Sequence, residues 1–402
     1  MTDTPTPSWQ SQPHAIVERD GVRYTLLGTA HVSRSSVEAV EDAIGSGRFD
    51  TVAVELDESR LQALTDPASL AKLDLVQVIR KGKVAMFAAN LALASYQRRL
   101  AEQLGIEPGA ELKRAVGAAK ERGLKVELID REVGLTFRRA SASLGFLGKL
   151  KLASGLVAGL LSSEEMGEDE IEKLKEGDIL ESTFGEFAQS SPALYESVIA
   201  ERDRYMAARL RQVPSGSREV LAVVGAGHLA GLARHLAEDT GSPTVIRARL
   251  EDAPPPRGMR WIGTAITLLI LAMIVWGFWQ GGADLGRQLV LEWAVITAVG
   301  AAVGTILAAG HPLGVVAAAI AAPLKPFRPP GVSPGLFSAL VEAHVRKPAY
   351  GDFLALRDDA GSLRGWYRNR VSRTLLNFIL TNLGSSAGVW VAGLRIAGQL
   401  MA

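Results

Sequence analysis

The chain contains no cysteine. This absence excludes disulfide bonds, thiolate nucleophiles and every zinc or iron–sulfur site that uses sulfur ligands. Any metal ion bound by this chain must therefore be held by histidine, aspartate or glutamate side chains.

The chain also lacks a strong net charge and an apolar N-terminus. Its 402 residues carry a formal net charge of only +1, so the sequence predicts no nucleic acid partner. Residues 1–20 are polar and contain no apolar run long enough for a signal peptide. They predict a polar leader, followed by an N-terminal domain that stays in the cytoplasm.

Long apolar runs are present in the C-terminal part of the sequence. The composition changes near residue 253, after which residues 261–279 form an uncharged run and residues 289–310 form a second apolar run. A helix over 261–279 is about 28 Å long at about 1.5 Å per residue, close to the hydrocarbon thickness of a bilayer. The pattern predicts an α-helical transmembrane domain over 253–402, in a multi-pass protein of the cell membrane that contacts the lipid bilayer.

Three further segments complete this predicted domain. The apolar stretch 313–324 is too short to cross a bilayer alone, which favours a re-entrant or tilted segment. Residues 325–373 form a basic connection, which the positive-inside rule places in the cytoplasm. Residues 375–400 predict a final span.

Residues 21–252 show the alternation of apolar strands and amphipathic helices that is typical of an α/β domain with a mostly parallel sheet and helices on both faces. Four runs predict strands: Tyr24–Gly28, Thr51–Leu56, Lys125–Asp130 and Glu219–Gly225. Residues 82–212 otherwise look mostly helical, and the apolar stretch 144–161 predicts a helix within the domain or on the membrane surface.

Polar residues follow each of these four strands. His31 comes after the first, Glu55 ends the second, Asp130 and Arg131 end the third, and His228 follows the fourth. Because ligands bind beyond the carboxyl ends of parallel strands, we expect these side chains to share one crevice.

Each histidine is the last residue of a Gly-x-x-His element, in which glycine lets the chain turn out of the strand. Two imidazoles and the Glu55 carboxylate supply three ligands and leave open positions on a divalent metal ion, as a hydrolytic site requires. Zinc, manganese, cobalt and iron(II) all suit such a set. Arg131 is placed to polarise a carbonyl or to hold a substrate carboxylate, and Asp130 is either a ligand or its orienting partner.

Structural roles compete with these chemical ones. A lone histidine after a strand is more often a hydrogen-bonding residue than a ligand. Glu55 could instead cap a helix or pair with Arg60, and Arg131 could form a buried ion pair with Glu132 or Asp203.

Several motifs resemble a known family. LLGTAHVSRSSVEAV, DTVAVELDESR, KVELIDRE, ERDRYMAARL and VVGAGHLAGL, together with HPLGVVAAAIAAPLKPFRPPGVSPGL, resemble the TraB family, which includes pheromone-shutdown proteins of bacteria. The sequence is also similar to Tiki and GumN-like proteins of the erythromycin-esterase and ChaN-like superfamily. The resemblance implies an EreA/ChaN-like α/β fold and, from the Tiki-type relatives, a metalloprotease dependent on manganese or cobalt.

The resemblance also assigns roles to residues of this chain. His31 and His228 take the histidine roles and Glu55 the acidic role, both as metal ligands and as catalytic residues. Arg131 in the LIDRE segment, and Arg202 and Asp203 in the ERD segment, are also assigned to the site. There Arg131 is a further catalytic residue, and Asp130, Arg131 and Arg202 bind substrate.

Two classes of function follow. The first is a membrane-anchored metal-dependent hydrolase, a metallopeptidase acting on peptides or proteins with a manganese, cobalt or zinc ion. The second is a non-enzymatic peptide-binding or regulatory membrane protein. A transporter, suggested by the broken-helix pattern after His311-Pro312, ranks third. Association of the chain with copies of itself stays open.

Overall fold

The structure is a computed structural model. It describes residues 8–29, 34–65, 74–81, 109–145, 192–214, 216–252, 260–327 and 332–401, with eight residues between 83 and 95 and with Gly148, Ser154 and Pro329. The described residues belong to two compact units. The first, the α/β unit, draws on Met1–Pro67, Tyr96–Ala158 and Ser162–Arg257, and the second, the helical unit, on Ala68–Ser95, Gly159–Leu161 and Gly258–Ala402.

A five-stranded sheet forms the centre of the α/β unit. Its strands are β1 (His14–Arg19), β2 (Val22–Thr29), β3 (Thr51–Val54), β4 (Lys125–Leu128) and β5 (Glu219–Gly225), in the order β1-β2-β5-β3-β4. β2, β5, β3 and β4 are mutually parallel, and only β1 is antiparallel to its neighbour. The prediction of a mixed, mostly parallel sheet is confirmed, and all four predicted strands form.

Helices cover both faces of this sheet because the strand residues alternate between two cores. On one face, Val52 and Val223 pack against the helices Arg34–Gly45 and Ala110–Glu121. On the other, Ala53 and Val224 pack against the helices Glu201–Leu210 and Leu229–Glu238. The remaining helical elements of the unit are Ser8–Ser11, Glu58–Thr65, Val133–Ser143, Pro192–Tyr195, Glu196–Ala200, Ala226–His228 and Pro243–Glu251.

The segment that the sequence predicts to be a polar leader contributes to the fold. β1 forms a hairpin with β2 through Asp20 and Gly21, both with positive φ (54° and 77°), and Trp9 is buried in the core. Positive φ at two central residues is typical of the turns that join two-residue hairpins, and Asp-Gly is a strong signal for them. β1 was not predicted from the sequence, because an edge strand has one side in water and therefore carries many polar residues.

Two long apolar stretches form most of the helical unit. The helix Arg260–Leu307 is broken at Gly282 (φ 68°, ψ −163°), and Gly277 lies against Leu289 beyond the break. The predicted spans 261–279 and 289–310 thus form a helical hairpin. The third helix, Arg370–Met401, covers the predicted final span. By length and composition, Thr264–Leu307 and Arg370–Met401 are candidate membrane spans.

The residues between these long helices are largely helical. The predicted short segment 313–324 contains the helix Pro312–Ala321. The predicted basic loop contains the short helices Lys325–Phe327, Pro334–Val345, Tyr350–Leu354, Leu356–Asp359 and Leu363–Arg368. Ser333 and Ser362 cap two of them with their side chains. These caps are local helix signals that the prediction of a basic loop, which was based on the charge of the segment, did not use. The helix Leu75–Arg80 packs into the same unit through Leu75 and Ile79.

Candidate active site

The carboxyl ends of the parallel strands meet at one edge of the sheet. Thr29 lies opposite Gly225, and Val54 lies opposite both Val223 and Leu128. Glu55 follows β3 directly, and its backbone N–H donates to the Val223 carbonyl at 3.1 Å. The register therefore brings Glu55, Asp130 and the start of the Gly225-x-x-His228 element to the same edge, as the pattern of strand ends predicts.

His228 lies between two carboxylates. Its Nδ1 is 2.6 Å from Asp203 Oδ1, and its Nε2 is 3.5 Å from Glu55 Oε1. The histidine is 1% exposed and Glu55 is 2% exposed. Because an ionised carboxylate only accepts hydrogen bonds, Asp203 favours the tautomer that carries its proton on Nδ1. This tautomer presents the lone pair of Nε2 toward Glu55.

Glycines at two positions let neighbouring atoms pack closely against the backbone. A Cβ atom at Gly231 would overlap the Asp203 carboxylate, so only glycine lets Asp203 reach the first turn of the helix Leu229–Glu238. At Gly28, a Cβ atom would lie 3.1 Å from the Pro13 carbonyl oxygen. Gly225 has an ordinary extended conformation (φ −60°, ψ 140°), so the expected sharp glycine turn is absent there. Its contribution is its N–H, which donates to Glu55 Oε2 at 2.7 Å.

Arg202 connects Glu55 to Asp130. Its Nη2 donates to Glu55 Oε1 and, at 2.7 Å, to Asp130 Oδ2, while its Nε donates to Asp130 Oδ1 at 3.1 Å. The fork of the guanidinium thus holds Asp130 bidentately, a geometry that lysine cannot reproduce. All three side chains are buried, so the network fixes Glu55 from the side opposite to Gly225.

Arg60 adds a second cation to this network. It donates to Asp130 and, through Nε at 2.7 Å, to Asp57 Oδ2. Burial raises the pKa of Asp130, but the charges of Arg202 and Arg60 outweigh that effect and hold the pKa well below its usual range. Asp130 is therefore an anion at neutral pH, and it positions the arginines. The alternative pairing of Arg60 with Glu55 is not the observed one.

The guanidinium of Arg131 points away from Glu55. It donates to Glu201 Oε2 at 2.9 Å, to the Ser197 carbonyl at 2.8 Å and to Thr136 Oγ1 at 3.1 Å. Burial lowers the pKa of Arg131. Arg131 thus forms a buried ion pair, whose partner is Glu201 and neither of the two acids considered from sequence.

Glu201 binds a second arginine as well. Arg139 donates to both of its carboxylate oxygens at 2.6 Å. Burial raises the pKa of Glu201, but the hydrogen bonds from Arg139 and Arg131 lower it by more, so the carboxyl lies below its usual range. Three consecutive residues of one helix thus contact different parts of the site. Glu201 binds Arg131 and Arg139, Arg202 binds Glu55 and Asp130, and Asp203 contacts His228.

His31 lies outside the described residues, so its position relative to His228 is not part of this geometry. Within the described ranges, no group of three or more His, Asp or Glu side chains is arranged to hold a metal ion. The structure brings together Glu55 and His228 of the predicted ligand set, and it joins Asp130 and Arg202 to them. Asp203, which the resemblance assigns to the site without a partner, is the direct neighbour of His228.

The sequence of this chain matches two models of one known family. Residues 13–240 match the model of the TraB/PrgY/gumN family. The chain belongs to this family. Residues 258–401 match the model described as "TraB family protein, C-terminal domain", so the TraB resemblance extends over both units.

Relatives of this TraB protein occur in archaea and in animals. An uncharacterized protein of Methanocaldococcus jannaschii is 30% identical over 370 residues, which cover 91% of this chain and 92% of that protein. A TraB domain-containing protein of Bos taurus is 31% identical over 312 residues, covering 70% of this chain and 80% of the relative. The Homo sapiens protein of the same name is 32% identical over 267 residues, covering 60% and 68%.

Proposed function

We propose that this chain is a membrane-anchored metal-dependent hydrolase that acts on peptides or proteins. The single observation that supports it most is the placement of His228 between Asp203 at 2.6 Å and Glu55 at 3.5 Å, at the carboxyl edge of a parallel sheet. A histidine that ligates a metal usually donates its other ring N–H to a carboxylate, which fixes the tautomer.

The spacing of the two described ligands suits a shared cation. Two donors at about 2.0–2.1 Å from a tetrahedral ion lie roughly 3.4 Å apart, and His228 Nε2 and Glu55 Oε1 are 3.5 Å apart. In this proposal His31 supplies the third ligand. A manganese, cobalt or zinc ion held there would polarise a substrate carbonyl and lower the pKa of water.

The protein groups around this pair have distinct roles in the proposal. Asp203 orients His228, and Arg202 and the Gly225 N–H hold the Glu55 carboxylate in place. Asp130 and Arg202 border the substrate. Arg131, whose guanidinium pairs with Glu201, positions the helix that carries Arg202 and Asp203.

Membrane anchoring rests on the helical unit. Large apolar side chains point outward from its long helices, with Leu269 60%, Trp279 81% and Leu394 72% exposed. In water such a surface would favour aggregation, whereas lipid would cover it. We propose a multi-pass protein of the cell membrane, with the α/β unit in the cytoplasm as the basic segment 325–373 indicates.

The hydrolase proposal is tested with the full chain purified in a mild detergent. The protein is incubated with a mixture of short peptides and added manganese, cobalt or zinc, and the products are followed by mass spectrometry. We expect metal-dependent cleavage that falls by at least about 100-fold in Glu55→Gln and His228→Gln. Matched changes at exposed positions of the same unit, Glu238→Gln and His14→Gln, should leave the rate unchanged. Absence of cleavage with all three metals would reject the hydrolase.

A non-enzymatic peptide-binding or regulatory protein is the second candidate. It is favoured by the fact that both oxygens of Glu55 already accept hydrogen bonds, from Gly225 and Arg202. Under this alternative, peptides bind and stay intact, and alanine at His228 leaves the biological effect of the protein unchanged. Loss of that effect in His228→Ala, with folding retained, would reject the alternative.

A further inference from the structure

A groove of about 530 Å³ runs along the outer edge of β4 in the α/β unit. β4 is the last strand of the sheet, and no described strand pairs with its outer side. The walls come from both helix layers: Glu58 and Leu61 lie on one side, and Tyr205 and Arg209 on the other. The groove therefore exposes a strand edge at its floor between two walls.

The backbone of β4 can accept another strand at this edge. The N–H groups of Lys125 and Ile129 point inward, donating to Asp50 at 3.4 Å and to Val54 at 3.1 Å. Strand geometry then turns the N–H and C=O groups of Val126 and Leu128 outward. The Leu128 carbonyl accepts from Arg209 at 2.8 Å, which leaves Val126 as the centre of the open edge. Extended peptides add to such edges through main-chain hydrogen bonds.

The charges of the groove favour a basic occupant. The carboxylates of Glu58 and Glu132 are exposed, and that of Glu127 is half-buried 3.9 Å from Arg209. Asp57 and Asp130 also face the groove, but Arg60 pairs with both of them. Lys120 is the other cation of the lining. Carboxylates thus exceed cations, which attracts lysine and arginine side chains and repels acidic ones.

We propose that an extended, basic segment of a polypeptide binds in this groove as a sixth strand beside β4. The inference rests on the proposed hydrolase function, since it names the substrate class of the same site. Asp130 lines the groove, and Arg202 bridges it to Glu55. A peptide paired with the four residues of β4, about 13 Å of strand, continues past Asp130 toward Glu55 and His228.

The test measures binding of defined peptides to the detergent-purified full chain by fluorescence anisotropy, in the presence of a chelator so that no cleavage occurs. The probe is a fluorescein-labelled hexapeptide of alternating valine and lysine, and the matched peptide has glutamate in place of lysine. We expect the basic peptide to bind at least about 10-fold more tightly than the acidic one, and the difference to shrink at high salt.

Two kinds of variant separate the contribution of the acidic side chains to peptide binding from that of the β4 backbone. The double change Glu58→Lys and Glu132→Lys should weaken basic-peptide binding by at least about 10-fold, whereas Glu238→Lys, the same change outside the groove, should leave it within about two-fold. Val126→Pro removes an outward N–H at an edge position that tolerates proline, and it should weaken both peptides by about five-fold or more. Val126→Thr keeps the N–H and should bind as the wild type does.

The outcomes distinguish this inference from the hydrolase proposal. Selective binding of the basic peptide that depends on Val126 and the two glutamates supports the added strand, even if the peptide is never cleaved when metal is supplied. Equal binding of both peptides, or insensitivity to the Val126→Pro and double-lysine variants, overturns it. Cleavage of peptide mixtures that ignores these variants also overturns it, while leaving the hydrolase intact.

Discussion

The two units bury different kinds of polar group and expose different kinds of surface. In the described part of the α/β unit, most large apolar side chains lie inside, and buried polar groups near the strand ends are charged and paired, as Glu55, Asp130 and Arg202 are. In the helical unit, large apolar side chains such as Leu269 point outward, and most buried polar groups are neutral. These neutral groups include Thr297, Thr305, Ser338, Asn377, Thr381 and Ser385.

The difference supports the proposal that the α/β unit is built for water and the helical unit for lipid. In water, apolar burial drives folding and a paired charge network can be held at a site. In lipid, helices associate through close backbone packing and hydrogen bonds between side chains. Gly300 lies against Gly384 across two helices, and Thr305 bonds Thr381 at 2.9 Å, which is the pattern expected in a bilayer.

The largest effect is expected from a substitution that breaks the charge network of the α/β unit. Arg202→Met removes the shared partner of Glu55 and Asp130 and leaves two buried carboxylates with fewer compensating charges. We expect a loss of about 3–5 kcal/mol in the free energy of unfolding, measured by denaturant titration in detergent. Arg204→Met, on the same helix but in a partly exposed pair with Glu196, should cost below about 1 kcal/mol. Equal losses in both variants would contradict the account of the network.

A second change tests the outward surface of the helical unit. Leu269→Arg should raise the apparent free energy of membrane insertion by about 3–4 kcal/mol, because a charge would replace an apolar side chain facing hydrocarbon. Insertion is measured by glycosylation mapping in microsomes, with Leu269→Phe as the apolar control. If the helix faced water, arginine at this exposed position would be tolerated as well as phenylalanine, and the comparison of solvents would be wrong.

A third change tests the glycine packing. A Cβ atom at Gly304 would overlap the Leu380 carbonyl oxygen, whereas one at Gly398 would meet no atom within 4 Å. We expect Gly304→Leu to destabilise the helical unit by about 1–3 kcal/mol, measured by unfolding in increasing SDS. Gly398→Leu is the matched control and should unfold as the wild type does. Retained stability in Gly304→Leu would mean that the backbones do not pack this closely.

The smallest expected effect is a change in slope, and it concerns the acid sensitivity of the α/β unit. Arg202 and Arg60 outweigh the opposing effect of burial, so the pKa of Asp130 is depressed in the folded chain. A carboxyl group whose pKa is lower in the folded than in the unfolded chain stabilises the fold at pH values above its unfolded pKa, which is about 4. This stabilisation is lost as the pH falls below that value. The slope of stability against pH below about 4 should therefore be flatter in Asp130→Asn than in the wild type or in Glu238→Gln. An unchanged slope would show that Asp130 does not contribute.

The sequence predicted the parallel strands and the edge where Glu55, Asp130 and His228 meet, because buried strands are apolar and their ends are marked by polar residues. β1 was missed, since an edge strand is half polar. The resemblance placed Asp203 in the site, but its pairing with His228 was not predicted, because Asp203 lies inside a helix 25 residues before His228 in the chain. The partner of Arg131 could not be predicted, because pairing among several buried acids depends on helix placement that no local pattern specifies.

The central claim is that His228 and Glu55 share one divalent cation, and metal content tests it most directly. The full chain is purified with manganese, cobalt or zinc supplied, and its metal is counted by elemental analysis. We predict about one equivalent per chain in the wild type and in His14→Ala, and less than about a tenth of that in His228→Ala and Glu55→Ala. A wild type that retains no metal, or a His228→Ala variant that retains it fully, would contradict the account.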